Sequence, residues 1–163
     1  MTCSGATTAN ILTTGQVSRP PQINAVAGAT DLVTITIGGN DVNCPGSMVT
    51  YSCQNSGGTN CGTVDRAAVN PALDEVGQRI GNVVNAVHAK APQARVLLVS
   101  YSTLLPDTGG CTGVPLTADQ RTFERGVAQR LAQATITAAN DTGATLVRLA
   151  TAGHGHDACA ADP

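Results

Sequence analysis

The chain has 163 residues, room for one domain and not comfortably for two. Apolar side chains make up 42 % and charged ones 12 %, which supports a packed core and argues against disorder. A net charge of −2 with no basic stripe, and no aromatics besides Phe123, Tyr51 and Tyr101, argue against a nucleic-acid surface; no apolar run approaches the ~20 residues that cross a bilayer.

Thr30 to Ile37 (TDLVTITI) is a short β-branched run closing on Gly38-Gly39, and it reads as a buried strand. The polar stretch from Asn40 to Gly62 reads as a long loop, of the kind that is functional or tied down. Asn70-Pro71 reads as the start of a helix, with Asn as N-cap, Pro in the first turn, and Asp74 and Glu75 at the positive end of the dipole. Leu73, Val76, Ile80, Val83, Val84 and Val87 recur at helical spacing, and Pro92 ends the element. Arg95 to Ser100 (RVLLVS) is a second strand, almost uniformly apolar.

Thr117 with Gln120 three residues on forms a capping-box pattern, Phe123, Val127, Leu131 and Ala134 line one helical face, and Gly143 is the stop. Ala144 to Leu149 makes a third strand. The order β-α-β-α-β, with crossovers long enough for parallel pairing, predicts an α/β fold with helices on both faces of the sheet. Ligands then belong at the carboxyl ends of the strands, in the loops Gly38–Gly62, Tyr101–Leu116 and Ala150–Pro163.

Six cysteines (Cys3, Cys44, Cys53, Cys61, Cys111 and Cys159) form no Cys-x-x-Cys pair, so neither a zinc knuckle nor a thioredoxin-like site is suggested. Scattered cysteines in even number read as disulfides of a secreted protein. The first residues carry no basic region followed by an apolar run, so the expected export signal is not in this chain.

At the strand-to-loop junction, Gly38-Gly39-Asn40-Asp41 combines two glycines that permit close backbone approach with a short amide donor. Alone it is a plain turn; it gains weight from Cys3-Ser4-Gly5-Ala6-Thr7 before it and Gly155-His156-Asp157-Ala158-Cys159 at the other end. Together CSGATT, PPQINAV, TDLVTITIGGND and GHDAC resemble, in that order, secreted actinobacterial members of the GDSL/SGNH hydrolase family of esterases and lipases.

That resemblance implies a three-layer α/β/α domain on a parallel, flavodoxin-like sheet, here incomplete, with three of about five strands. It implies carboxylic ester hydrolysis through a serine acyl-enzyme on a small-molecule or lipid ester, with no metal and no cofactor. Gly5 matches the oxyanion-hole glycine and Asn40 the oxyanion-hole asparagine; Gly38, Gly39 and Asp41 match the organisers of that loop. Cys111 and Cys159 match a disulfide-bonded pair, and Cys3 a cysteine whose usual partner lies upstream. Cys53 with Cys61 would close a small loop, leaving Cys44 free or paired with Cys3.

No Gly-Asp-Ser and no His-Pro occurs in the chain. The expectation is therefore a single domain over 1–163 truncated at both ends, with its nucleophile upstream of Met1 and its base downstream of Pro163. Ser4, Ser47, Ser100 and Ser102 lack a nucleophile context. His88 suits a helix C-terminus. His156 is a weak catalytic candidate beside its reading as an organiser of the loop around Cys159. A metal site of His154, His156, Asp157 and Cys159 is disfavoured, because ligands so close in sequence do not converge on one ion. Gly153-x-Gly155-x-x-Ala158 mimics a dinucleotide fingerprint but lacks room for the required helix. The alternative to the esterase reading is a non-catalytic binding or structural module on the same scaffold.

Overall fold

The computed structural model describes residues 3–162. Met1, Thr2 and Pro163, where the sequence reading sets the ends of a truncated domain, lie outside the described residues.

Three strands, β1 (Leu32–Ile35), β2 (Arg95–Val99) and β3 (Thr145–Val147), form a parallel sheet in that order. All three fall inside the predicted runs; Leu149 instead opens a short helix, α5 (Leu149–Ala152). Before β1 lie α1 (Thr8–Leu12) and a 3-10 turn at Gln22–Ala25. The crossover from β1 to β2 carries α2 (Cys44–Asn55) and α3 (Arg66–Lys90), and that from β2 to β3 carries α4 (Ala118–Thr142).

The α3 stripe is as the spacing predicts, with Leu73, Val76, Ile80, Val83, Val84 and Val87 all buried. Its start is not. Asp65 is the cap, accepting from the N–H groups of Ala67 and Ala68, and Pro71 sits inside the helix. A proline there removes a backbone hydrogen bond. The extra turn is held by Asp65, by burial of Val69, and by Arg66, which donates to the Tyr51 hydroxyl at 2.8 Å and pairs with Asp119 at 2.7 Å. Asp74 and Glu75 therefore lie mid-helix, where they pair with Arg130 (2.6 Å) and Arg79 (2.5 Å). At α4 the capping box between Thr117 and Gln120 is present, and Gly143 ends the helix at φ +71°.

The predicted long loop from Asn40 to Gly62 instead holds α2. Asn43 enters it at φ +52°, and Pro45 stands in the first turn. Cys44, Ser47 and Tyr51 form its buried side, packed against α4.

Both long helices lie on one face of the sheet, packed along each other. Two consecutive right-handed crossovers running in one direction across a parallel sheet must lie on the same side. Ile35, Val96 and Leu98 face that layer and are buried. Among the described residues the opposite face is open: Leu32 is 53 % and Val147 37 % exposed, and Thr34 and Thr145 are exposed. The expectation of helices on both faces is met here on one.

Candidate active site

The carboxyl ends of β1 and β2 place the turn 38–41 beside Tyr101 and the segment 5–8. Gly38 has φ +105°, and an added Cβ would lie 3.1–3.2 Å from Leu131, Val76 and Ile80. Gly39 is restricted differently, since a Cβ there would meet the Tyr101 hydroxyl at 2.9 Å. The two glycines thus let the strand end press into the core while its backbone meets an aromatic side chain.

The Gly39 N–H donates to Tyr101 Oη at 3.1 Å. Burial raises the Tyr101 phenol above its ordinary value, opposed by the hydrogen bond from Gly39, so the hydroxyl stays neutral. Asn40, half-buried, donates through Nδ2 to the carbonyl of Ala6 at 3.0 Å. A carbonyl only accepts, so the amide orientation is chemically determined, and the second Nδ2 hydrogen has no partner among the described residues.

Ala6 follows Gly5, which is exposed and adopts φ +77°. Asp41 completes the arrangement. Its side chain, 2 % exposed, accepts from Thr8 N (3.0 and 3.2 Å) and Thr8 Oγ1 (2.5 Å). Asn40 and Asp41 thereby clamp the segment that carries Gly5 onto the turn.

An apolar cavity of about 450 Å³ opens beside Gly39, with Cys44, Met48, Tyr101, Leu104 and Leu131 among its walls. Its size suits a small-molecule site. The Cys44 thiol is pushed up to about 12, by burial first and then by Glu124. It is protonated and no nucleophile at neutral pH. Glu124 is 1 % exposed, and burial raises its carboxyl above the usual range; neighbouring Ser47 and the charge of Arg66 oppose the shift.

A carboxyl with a raised folded pKa binds more protons folded than unfolded, so its stability contribution falls as pH rises from the ordinary carboxylate value through the raised one. The Cys44 and Tyr101 groups nearby stay neutral across that window. Glu124→Gln is expected to flatten this decline in a pH series of thermal melts. An unchanged pH dependence would show that Glu124 ionises normally.

The cysteines pair as Cys53–Cys61 and Cys111–Cys159, with Cys3 and Cys44 free. The second bridge joins the loop after β2 to the segment after α5. His156 is exposed, its ring Nδ1 lying 2.8 Å from the backbone oxygen of Asp162 and its backbone N–H donating to the Gly153 carbonyl. His154 lies 3.9 Å from Asp107, both largely exposed. His88 is in the last turn of α3. Ser47 and Ser100 are buried, Ser47 donating to Cys44 O and Ser100 accepting from Leu149 N, while Ser4 and Ser102 are exposed. Among the described residues no serine is hydrogen-bonded to a histidine, and no three metal-ligating side chains converge. No described helix is long and apolar enough to cross a membrane.

Sequence reasoning missed Thr8, Tyr101 and Glu124 as parts of this region. Tyr101 was the most findable, as one of three aromatics and the first residue of a loop at the ligand edge.

A parallel α/β sheet carrying a Gly-Gly-Asn-Asp turn at its carboxyl edge, clamped to a glycine segment and backed by an apolar cavity, places a ligand-sized pocket where such sheets bind ligands. The chain belongs to the GDSL-like lipase/acylhydrolase family, whose model matches residues 1–163. It is 33 % identical to Lipase 2 of Streptomyces coelicolor, over 99 % of this chain and 58 % of that protein. It is 29 % identical to a lipase of Streptomyces rimosus, over 99 % of this chain and 56 % of that protein. Among solved structures it resembles the extracellular lipase of Streptomyces rimosus (TM-score 0.76, 28 % identity, 99 % of this chain and 64 % of that one). It also resembles phospholipase A1 of Streptomyces albidoflavus (TM-score 0.75, 32 % identity, 96 % and 62 %). The chain thus spans 56–58 % of the length of these curated relatives.

Proposed function

We propose that this chain supplies the oxyanion-binding part of a secreted serine ester hydrolase acting on carboxylic esters. The observation that carries the reading is the Asn40 amide, held by the Ala6 carbonyl next to exposed Gly5, with one hydrogen unspent. When a hydroxyl attacks an ester carbonyl, negative charge develops on the carbonyl oxygen. The Gly5 N–H and the Asn40 amide would receive it, and Asp41 and Tyr101 would keep those donors in place. The acyl chain would enter the cavity beside Gly39. Relatives named as lipases, and one structure named as that of an extracellular lipase, support both the ester substrate and export.

The test is hydrolysis of a nitrophenyl ester by the full-length protein and by its Asn40→Ala variant. A second expectation concerns residues 1–163 alone, which contain no Gly-Asp-Ser. This polypeptide is expected to hydrolyse no ester above background and to take up no fluorophosphonate. A stoichiometric label on any of its serines would refute the assignment of the nucleophile to another segment.

A further inference from the structure

The cavity beside Gly39 has a buried, unpaired carboxyl among its walls. Glu124 lines it from α4, and neither of its carboxyl oxygens has a hydrogen-bond partner among the described residues. The adjacent Ser47 hydroxyl has a single hydrogen, which goes to the Cys44 carbonyl at 3.0 Å. Arg66, the cation that bears on this carboxyl, is bonded to Tyr51 and Asp119. Arg125, also on the cavity wall, is committed to the carbonyls of Pro106 and Gly109.

A buried polar group without a partner is costly, and native structures seldom leave one idle. Among the described residues no group of three or more metal-ligating side chains forms around Glu124, so a cation is a poor match. A neutral carboxyl offers one donor and one acceptor, which a hydroxyl group complements in both directions. The surrounding walls, Cys44, Pro45, Met48, Leu105 and Ala128, ask for an aliphatic body around that group.

We propose that this cavity selects aliphatic acyl chains carrying a hydroxyl group, with Glu124 as the residue that binds it. The identification of the ligand as an acyl chain rests on the ester-hydrolase reading; the pairing of Glu124 with a hydroxyl does not.

The experiment is calorimetric titration of the full-length protein with medium-chain methyl ketones, unsubstituted or carrying one hydroxyl at successive carbons. These analogues resemble the ester but cannot be hydrolysed. A hydroxyl at one position is expected to tighten binding about tenfold, while neighbouring positions do not. Glu124→Gln, which keeps a donor and an acceptor, is expected to retain the preference. Glu124→Leu is expected to abolish it and to bind the unsubstituted ketone at least as tightly as the wild type does.

If no hydroxyl position helps the wild-type protein, or if no ketone binds, the proposal is overturned. Persistence of the preference in Glu124→Leu would overturn it too. Should that variant not fold, the wild-type series together with Glu124→Gln still decides. Because the readout is binding, failure here is separable from failure of the esterase reading, which the Asn40 kinetics test alone.

Discussion

Replacing Asn40 with Ala in the full-length protein is expected to lower turnover on the order of 10²–10³-fold with little change in KM, a loss of about 2.7–4 kcal/mol of transition-state stabilisation. The asymmetry between the two constants follows from where the amide acts. On the proposed reading its second hydrogen would face an oxygen that carries little charge in a bound ester and nearly a full charge once the tetrahedral adduct forms. Binding the ester would then gain little from Asn40, and the attack much. The Ala6 carbonyl matters for the same reason, since an amide already fixed by a 3.0 Å hydrogen bond does not reorient as charge develops. Steady-state kinetics on a soluble ester are the measurement. A variant with wild-type turnover would remove Asn40 from the mechanism, and a rise in KM at constant turnover would make it a substrate-binding residue instead.

What the sequence could reveal of this region followed the range of the interaction involved. The strands β1, β2 and β3 and the α3 stripe were legible because each rests on a local hydrophobic pattern. The ends of α4 were legible because capping at Thr117 and Gly143 is chemistry between residues a few positions apart.

The helix α2 was not legible. Its Gly, Ser, Asn and Cys content argues for a loop, and the element is sustained by burial of Cys44, Ser47 and Tyr51 against α4 and by the Cys53–Cys61 bridge at its far end. The start of α3 was misread for a related reason. Local rules favour a proline in the first turn, but Arg66 gains partners on α2 and α4 that no local rule anticipates. In the site, the Gly-Gly-Asn-Asp turn announced itself as a motif, whereas its partners Thr8 and Tyr101 stand 33 and 62 residues away in sequence. Glu124 was hidden by its type, because a glutamate in an amphipathic helix is normally solvated and only the packing of α2 over it turns it inward.

Asp41→Ala is expected to destabilise the fold by about 2–4 kcal/mol, the largest effect anticipated for any single side chain around the turn. The carboxylate is almost inaccessible, at 2 % exposure, and accepts from both the backbone and the hydroxyl of Thr8. Thr8 is itself 4 % exposed, so removing the acceptor leaves an N–H and an O–H buried without a partner. The Arg79 guanidinium, 3.9 Å away and half in solvent, contributes little to this balance.

Asp41→Asn separates charge from shape. It keeps one oxygen for the Thr8 donors and is expected to lose roughly half as much, in line with the weaker hydrogen bonds of a neutral acceptor. Thr8→Val is expected to cost less than Asp41→Ala, because the backbone N–H of residue 8 keeps its acceptor. Denaturant melts of the three variants measure the series. On the proposed reading the consequence would reach the chemistry, since the Thr8–Asp41 contact and the Asn40–Ala6 hydrogen bond both tie the segment after Gly5 to the turn. Melts that leave Asp41→Ala as stable as the wild type would mean that the Asn40–Ala6 hydrogen bond and apolar contacts hold the segment 5–8, and that the Thr8–Asp41 contact adds nothing to the joint.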